Sequence, residues 1–326
     1  MEDLPYALLS HSDGSRGLPK RYEDIIKQHF KIIYLEELNN NKDLYAPKIQ
    51  ALLLWWHRPV VTKELLDSLP NLKVISSSGA GVDHMDLKLI STYGLKVTNT
   101  PGLGDDSTAD MAMALMLASA RNVVQGNAIS HAPDTRDFDF NWVGEDITES
   151  TLGIIGMGSI GYAIAQRAKA FRMRILYHNR NRRAVEEESA VAAEYCSNMA
   201  DLLQQSDFVM VAVKLTPQTD SMIGRDQLQM MKATAILINI SRGQVIDQAA
   251  LVDALKQGVI KAAALDVTYP EPLPRNHPLL SLKNLIVTPH IGNATDKTRR
   301  KIIQKVAVNA ARILKGLPVN DIVEAK

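Results

Sequence analysis

Along most of this 326-residue chain, apolar runs of strand length alternate with stretches of helical periodicity. In the first hundred residues the pattern predicts strands at 6–9, 31–35, 50–54, 73–76 and 96–97. It predicts helices at 21–29, 63–69 and 87–92, and a further helix that begins at 105–108 and continues through 109–120. Neighbouring parallel strands need a crossover connection, usually a helix, so this alternation indicates an α/β protein with parallel sheets.

The second half repeats the pattern after a polar interval. Residues 131–149 are polar and irregular, and we interpret them as an excursion from the compact body. Strands are then predicted at 152–155, 174–177, 208–213, 235–240, 262–267 and 285–287. A long helix at 296–314 ends before Gly316 and Pro318. A chain of this length is expected to form two domains.

Charge and cysteine content argue against several classes of function. The chain has 37 Lys and Arg against 36 Asp and Glu, a balance that disfavours a nucleic-acid-binding or basic membrane-surface protein. The acidic beginning lacks the apolar run of a signal peptide, and the most apolar window, 111–118, is too short to span a bilayer. Cys196 is the only cysteine, so no internal disulfide can form. We expect a cytosolic protein without a bound metal.

A G-x-G-x-x-G pattern follows the first strand of the second half and precedes a helical stretch. This context distinguishes a dinucleotide-binding turn from a chance glycine-rich loop. Gly156 permits the tight turn, Gly158 lets the backbone approach a pyrophosphate, and Gly161 allows close packing of helix on strand. The helix start, at Ser159 and Ile160, presents free N–H groups to phosphate. We therefore expect a Rossmann-type domain that binds a nicotinamide dinucleotide.

The loop after the next strand indicates which dinucleotide is preferred. An NAD-binding protein places an acidic residue there for the ribose hydroxyls, whereas this chain has HNRNRR at 178–183. Asn179, Arg180 and Arg182 are therefore candidates for contact with a 2′-phosphate, which arginine binds through charge-assisted hydrogen bonds. We predict NADP, with NAD possible. The alternative is a solvated basic loop, and the acidic run 186–188 is interpreted as a solvated helix face.

Arg242, Glu271 and His290 lie in the loops that follow the last three predicted strands. Open α/β sheets bind their ligands at the carboxyl ends of the strands. Reduction of a 2-oxo acid needs a cation for the carboxylate, a proton donor for the developing alkoxide, and a partner that keeps this donor charged. The three side chains supply this set.

With these motifs, the chain resembles the NAD(P)-dependent D-2-hydroxyacid dehydrogenases, and within them the glyoxylate/hydroxypyruvate reductase type. The resemblance spans almost the whole chain: SGAGVD at 78–83, TNTPG at 98–102, the glycine pattern and the three strand-end motifs. It implies two doubly wound parallel-sheet domains, a flavodoxin-like substrate domain of residues 1–104 and 293–326 and a Rossmann-type cofactor domain of residues 105–292. The implied activity is NADPH-preferring reduction of glyoxylate, hydroxypyruvate or 2-ketogluconate to a D-2-hydroxy acid.

The resemblance also implies a role for each motif residue. His290 is the expected proton donor, Glu271 is its hydrogen-bonded partner, and Arg242 binds and orients the substrate carboxylate and carbonyl. Backbone N–H groups of Ala80 and Gly81 are expected on the other side of the carboxylate. Further positions around the cofactor are implied: Thr108, Val213, Pro217, Ile240, Gly292 and, next to the nicotinamide amide, Asp266.

A two-domain enzyme of this kind is expected to have its active site in the cleft between the domains. Residues at about 121–147 match the family's dimerisation arm, which implies a homodimer. Trp55, Trp56 and His57 follow the third predicted strand, and we predict substrate contact there, at Trp55 in particular. The alternative is an aromatic edge that packs on a neighbouring helix.

Two rival functions stay open at this point. Corepressor-like interaction proteins that sense dinucleotides have the same fold and retain the same catalytic trio, although this chain has no basic extension. Formate and phosphite dehydrogenases are also related, but those substrates need only a small anion site and their usual cofactor is NAD. Turnover of a 2-oxo acid with NADPH would separate a reductase from a corepressor-like protein directly.

Overall fold

The computed structural model describes residues 4–135, 137 and 142–324. Its contacts divide the chain into two compact units, one formed by the chain up to Gly104 together with the stretch from Ala294 onward, the other by Asp105–Asn293. Each unit contains one wholly parallel sheet with helices on both faces. The predicted α/β class with two doubly wound parallel-sheet domains is therefore confirmed.

The first unit contains a five-stranded sheet in the order β2-β1-β3-β4-β5. Its strands are β1 (Tyr6–Leu9), β2 (Lys31–Tyr34), β3 (Ile49–Leu54), β4 (Val74–Ser77) and β5 (Lys96–Thr98). Its helices are α1 (Glu23–Lys27), α2 (Leu35–Asn40), α3 (Lys42–Tyr45), α4 (Lys63–Asp67), α5 (Leu87–Thr92) and the C-terminal α13 (Asp296–Leu314). The apolar stripe of α13, which includes Ile302, Val306 and Ala310, is buried against β3 and β4, as the period of the stripe requires.

The second unit contains a seven-stranded sheet in the order β12-β11-β10-β9-β6-β7-β8. Its strands are β6 (Thr151–Ile155), β7 (Arg174–His178), β8 (Ala193–Tyr195), β9 (Phe208–Val211), β10 (Ile236–Asn239), β11 (Ala262–Leu265) and β12 (Leu285–Val287). Its helices are α6 (Asp105–Ala120), α7 (Val123–His131), α8 (Ser159–Ala170), α9 (Val185–Val191), α10 (Met199–Gln205), α11 (Arg225–Met230) and α12 (Gln248–Gln257). The strand order reverses between β6 and β9, the position at which doubly wound sheets bind dinucleotides.

The polar interval agrees only partly with its prediction. Helix α7 was not predicted, and it ends at His131, where the irregular stretch was expected to begin. From Ala132 to Glu149, the residues that the structure describes form no helix or strand. Residues 136 and 138–141 of the predicted arm lie outside the described residues. No helix within the described ranges is both long enough and apolar enough to cross a membrane.

Candidate active site

Three neighbouring strands of the larger sheet, β10, β11 and β12, run parallel. The loops that follow them contain the three predicted catalytic side chains, Arg242, Glu271 and His290. Because the carboxyl ends of parallel strands lie at one edge of a sheet, the fold brings these loops together. Strand β6 ends at the same edge, so the predicted dinucleotide turn begins there too.

Glu271 and His290 form a directly bonded pair. Nδ1 of His290 lies 2.9 Å from Oε2 of Glu271, and both side chains are about a quarter exposed. The other carboxylate oxygen, Oε1, accepts a hydrogen bond of 3.2 Å from the Thr268 N–H. Burial raises the pKa of Glu271, but the hydrogen bond and charge of His290 outweigh it, with smaller contributions from Thr268 and Arg242, so the pKa lies below its usual range. The ionised carboxylate favours a protonated imidazole.

The backbone at His290 is left-handed, with φ of 56°, a conformation that most side chains disfavour. Its N–H donates to the Asp266 carbonyl at 2.8 Å. The Asp266 carboxylate, which is buried, accepts from the Thr288 hydroxyl at 2.6 Å, the Ile291 N–H at 2.8 Å and the Gly292 N–H at 2.7 Å. These bonds fix the loop in which His290 lies, and they give Asp266 a structural role beside its predicted position near the cofactor.

The backbone of Arg242 is held in place by a residue of the preceding strand. Asn239, at the end of β10, donates from its amide to the Arg242 carbonyl at 2.9 Å and accepts from the Ser241 N–H and hydroxyl, each at 3.0 Å. A Cβ at Gly243 would lie 2.1 Å from the Thr268 carbonyl carbon. The Arg242 loop therefore packs directly on the backbone of the loop that contains Glu271.

Sequence reasoning missed two residues of this edge. Asn239 is 1% exposed at the end of an otherwise apolar strand, and a polar residue at that point was the available signal. Gln248 forms two hydrogen bonds with the backbone of Tyr269, at 2.9 and 2.5 Å. Nothing in the local sequence distinguishes this glutamine from any other at a helix start.

The glycine turn has the geometry that its pattern predicts. Gly156 has φ of 95°, and a Cβ there would lie 2.8 Å from the backbone N of Val213. A Cβ at Gly161 would lie 2.4 Å from the Gly156 carbonyl oxygen, whereas one at Gly158 would meet no described atom within 4 Å. The turn leads into the 12-residue helix α8, which begins at Ser159. The open approach at Gly158 and the adjacent helix N-terminus fit a dinucleotide pyrophosphate.

The basic loop is bonded to this glycine turn through Met157. The Asn179 amide accepts from the Met157 N–H at 2.6 Å and donates to its carbonyl at 3.2 Å. Arg183 donates to the same carbonyl at 2.9 Å, stacks over the Tyr162 ring and pairs with Glu187. Asn179 therefore shapes the turn, in addition to any contact with the cofactor.

The remaining two arginines of the loop, Arg182 and Arg180, differ in their contacts. Arg182 donates from Nε and Nη2 to the carboxylate of Glu188, at 2.8 and 2.7 Å. Hydrogen bonds from Arg182 and the Tyr177 hydroxyl lower the pKa of Glu188 to about 2. Glu188 is only 5% exposed, so the interpretation of residues 186–188 as a solvated face is wrong for this residue. Arg180, in contrast, makes no hydrogen bond or ion pair with any residue that the structure describes.

In the first unit, the loop at Ala80 and Gly81 is fixed by its neighbours. Gly79 has φ of 95°, and its N–H donates to the Thr100 hydroxyl at 2.7 Å. The Asn99 amide donates to the Ala80 carbonyl at 2.7 Å. The N–H groups of Ala80 and Gly81 make no hydrogen bond with any residue that the structure describes, as expected of groups available to an anion.

The aromatic segment after β3 divides between core and surface. Trp55 is 7% exposed and belongs to the hydrophobic core, which favours a packing role over the predicted substrate contact. Trp56 and His57 follow with φ of 51° and 61°. The His57 ring stacks on His84 with centroids 3.9 Å apart, and Nε2 of His84 lies 3.3 Å from the Ser77 hydroxyl. Substrate contact is therefore better expected at Trp56 or His57.

The other predicted cofactor positions lie in the second unit. Thr108, on α6, lies close to Gly292: a Cβ at Gly292 would be 3.3 Å from the Thr108 side chain. Ser159 and Ile160 begin α8, and Ile240 is buried directly after β10. Pro217 is exposed after β9. The described residues contain no group of three or more His, Cys, Asp or Glu side chains that could bind a metal.

Comparison with known proteins identifies the family of this chain. Residues 113–292 match the family described as D-isomer specific 2-hydroxyacid dehydrogenase, NAD binding domain. The chain belongs to this family. It is 43% identical over 310 residues to a glyoxylate reductase of Pyrococcus horikoshii, an alignment that covers 93% of this dehydrogenase and 92% of the relative.

Two further relatives place it within the glyoxylate/hydroxypyruvate reductase type. The dehydrogenase is 44% identical over 262 residues to human glyoxylate reductase/hydroxypyruvate reductase, covering 79% of each chain. Its structure matches an NADPH-dependent glyoxylate/hydroxypyruvate reductase of Sinorhizobium meliloti, solved with NADP and malonate, with a TM-score of 0.84 and 27% identity over 98% of this chain and 97% of the other.

Proposed function

We propose that this dehydrogenase reduces small 2-oxo acids to D-2-hydroxy acids and prefers NADPH to NADH. The observation that carries the proposal is the Glu271–His290 pair, 2.9 Å apart, at the sheet edge where Arg242 and the glycine turn also lie. The names of the related reductases support the same reaction. The second unit, Asp105–Asn293, is the cofactor domain in this proposal, and the first is the substrate domain.

The reduced nicotinamide supplies the hydride when it is bound. His290 donates a proton to the carbonyl oxygen of the substrate, so that C=O becomes CH–OH as the hydride reaches carbon. Glu271 keeps the imidazole oriented and protonated for this step. Arg242 binds the substrate carboxylate and orients the carbonyl. In the first unit, the N–H groups of Ala80 and Gly81 are available to bind a carboxylate.

Cofactor contacts are proposed for the glycine turn, the basic loop and the loops around them: Thr108, Gly156, Gly158, Ser159, Ile160, Gly161, Asn179, Arg180, Arg182, Val213, Pro217, Ile240, Asp266 and Gly292. Arg180 is the residue that selects NADPH. Arg182 and Arg183 are paired with Glu188 and Glu187, whereas the charge of Arg180 is available for a 2′-phosphate.

Cofactor choice is tested by the ratio of kcat/KM for NADPH to kcat/KM for NADH. Arg180→Asp should lower this ratio about tenfold to a hundredfold, since a lost charged hydrogen bond is worth about 1.5–3 kcal/mol. Arg275→Asp, at another exposed arginine, is the matched control and should leave the ratio unchanged. Equal efficiency with both cofactors in the wild type, or no change in Arg180→Asp, would refute the assignment.

Substrate class is tested by initial rates with glyoxylate, hydroxypyruvate, 2-ketogluconate, pyruvate and 2-oxoisocaproate, each with both cofactors. The half-exposed turn at Trp56 and His57 offers an imidazole beside aromatic bulk, so hydroxypyruvate should be turned over faster than 2-oxoisocaproate. The reverse order would show an apolar pocket. No turnover of any 2-oxo acid would refute the proposed reaction and favour a dinucleotide-sensing protein.

We also propose a homodimer in the cytosol. Helix α7 has no buried residue, and Val123, Val124 and, beyond the helix, Val143 are at least half exposed. Trp142 packs its ring against Gly126 of the same helix and is 40% exposed. Apolar side chains clustered in this way are typical of a contact between subunits. A monomeric mass by light scattering at micromolar concentration would contradict the dimer.

A further inference from the structure

The loop that contains Glu271 has few backbone donors of its own. Three of the seven residues from Thr268 to Pro274 are prolines, which lack an N–H. Thr268 donates its N–H to Glu271 and its hydroxyl to the Pro270 carbonyl at 3.2 Å, so these two bonds lie within the loop. The backbone of Tyr269, next in the chain, provides a point at which the loop is attached to the rest of the domain.

Gln248 makes that attachment with both ends of its amide. Its Oε1 accepts from the Tyr269 N–H at 2.9 Å, and its Nε2 donates to the Tyr269 carbonyl at 2.5 Å. Gln248 is the first residue of α12, whose start is capped by Asp247 through bonds of 3.0 Å from the N–H groups of Ala249 and Ala250. Tyr269 is 58% exposed, so the two backbone hydrogen bonds, more than burial, hold this residue.

We propose that Gln248 is a positioning residue, which holds Tyr269 and through it keeps the Glu271 carboxylate opposite His290. The inference rests on the proposed reduction, because the pair that Gln248 positions contains the proton donor. Without the two amide bonds the loop gains freedom, and the carboxylate spends less time against the imidazole. His290 would then lose its proton at a lower pH, and proton donation would slow.

The test compares Gln248→Ala with Gln257→Ala, the same substitution at the exposed last residue of α12. In Gln248→Ala, kcat for glyoxylate with NADPH should fall about tenfold to a hundredfold, since small displacements of catalytic groups cost this much. The alkaline limit of kcat/KM should move down. The melting temperature and the dissociation constant for NADPH should match those of Gln257→Ala. Gln248→Glu retains the acceptor and loses the donor, so its kcat should lie between those of Gln248→Ala and the wild type.

A second readout does not depend on turnover. The imidazole of His290, followed by NMR as pH rises, should lose its proton earlier in Gln248→Ala than in Gln257→Ala. Equal titration in the two folded variants would overturn the positioning role, whatever the activity. Failure of the wild type to reduce any 2-oxo acid would instead overturn the proposed function, and the NMR comparison would still decide the role of Gln248.

Discussion

Replacing Glu271 by glutamine removes the charge beside His290 with little change of shape. The glutamine oxygen can face the imidazole, but its NH₂ would then face the Thr268 N–H, which now donates to the second carboxylate oxygen. The substitution thus costs the ion pair and disturbs one backbone bond. We expect a protonated imidazole that is less stable, and hence a reaction that loses its acid earlier as pH rises.

The size of the shift follows from the hydrogen bond itself. The Glu271 and His290 side chains are 26% and 25% exposed, so solvent screens their interaction only in part. A hydrogen bond to a charged partner is worth about 1.5–3 kcal/mol and a neutral one about 0.5–1.5 kcal/mol. The difference, about 1–1.5 kcal/mol, corresponds to about one pH unit. Because the wild-type carboxylate has a lowered pKa, its charge is present throughout the neutral range.

The assay is the pH profile of kcat/KM in both directions. In Glu271→Gln the alkaline limit for reduction should move down by about one unit. Oxidation of the hydroxy acid needs the deprotonated imidazole, so its acid limit should move down by the same amount. An alkaline limit that stays in place or rises would show that Glu271 does not support a protonated His290, and the roles assigned to the pair would be wrong.

Three further substitutions test other parts of the structure. His290→Asn, chosen because asparagine tolerates a left-handed backbone, should lower kcat about a hundredfold to ten-thousandfold while the NADPH dissociation constant, measured by fluorescence, stays unchanged. Arg242→Lys keeps one charge but loses the planar fork, so initial rates should show mainly a raised KM for the oxo acid; an unchanged KM would contradict its role. Burial raises the pKa of Glu23, but hydrogen bonds from Lys27 and Ser12 outweigh this and lower it to about 2. The ionised Glu23 carboxylate contributes up to about 3 kcal/mol to the free energy of unfolding above pH 4.5, and this contribution is lost as pH falls to about 2. Denaturant unfolding of Glu23→Gln should therefore show a lower free energy of unfolding at about pH 7 and a flatter dependence of that energy on pH between 4.5 and 2. An unchanged pH dependence would contradict this role of Glu23.

The proximity of the three loops that contain the candidate catalytic residues was predictable because it depends on topology. Arg242, Glu271 and His290 each follow a strand, and neighbouring parallel strands end at one edge. A short-range pattern was therefore enough to place three distant residues together. The same reasoning predicted the glycine turn, whose constraints at Gly156 and Gly161 come from backbone sterics within one strand–helix unit.

What the sequence did not reveal depends on contacts between side chains and distant backbone. Glu188 is buried because the Tyr177 hydroxyl and Arg182 bond to it, which a run of three glutamates does not indicate. Trp55 is buried in the core, and its position after a strand could not decide between such packing and substrate contact. Gln248 and Tyr269 are 21 residues apart, and no periodicity relates them. Such contacts follow from loop conformation, which local propensity does not determine.

The absence of a side chain at Gly243 has a consequence for anyone who would redesign this protein. A Cβ at Gly243 would lie only 2.1 Å from the Thr268 carbonyl carbon, so a larger residue does not fit there. The backbones of the loops after β10 and β11 are therefore packed closely against each other. A β11 loop transplanted alone from a relative with another substrate range would meet a neighbour shaped for a different backbone path. Exchange of the β11 loop should therefore succeed only when the β10 loop is transplanted with it. A chimaera with one exchanged loop would fail because the two backbones no longer pack together, and not because a catalytic side chain is missing.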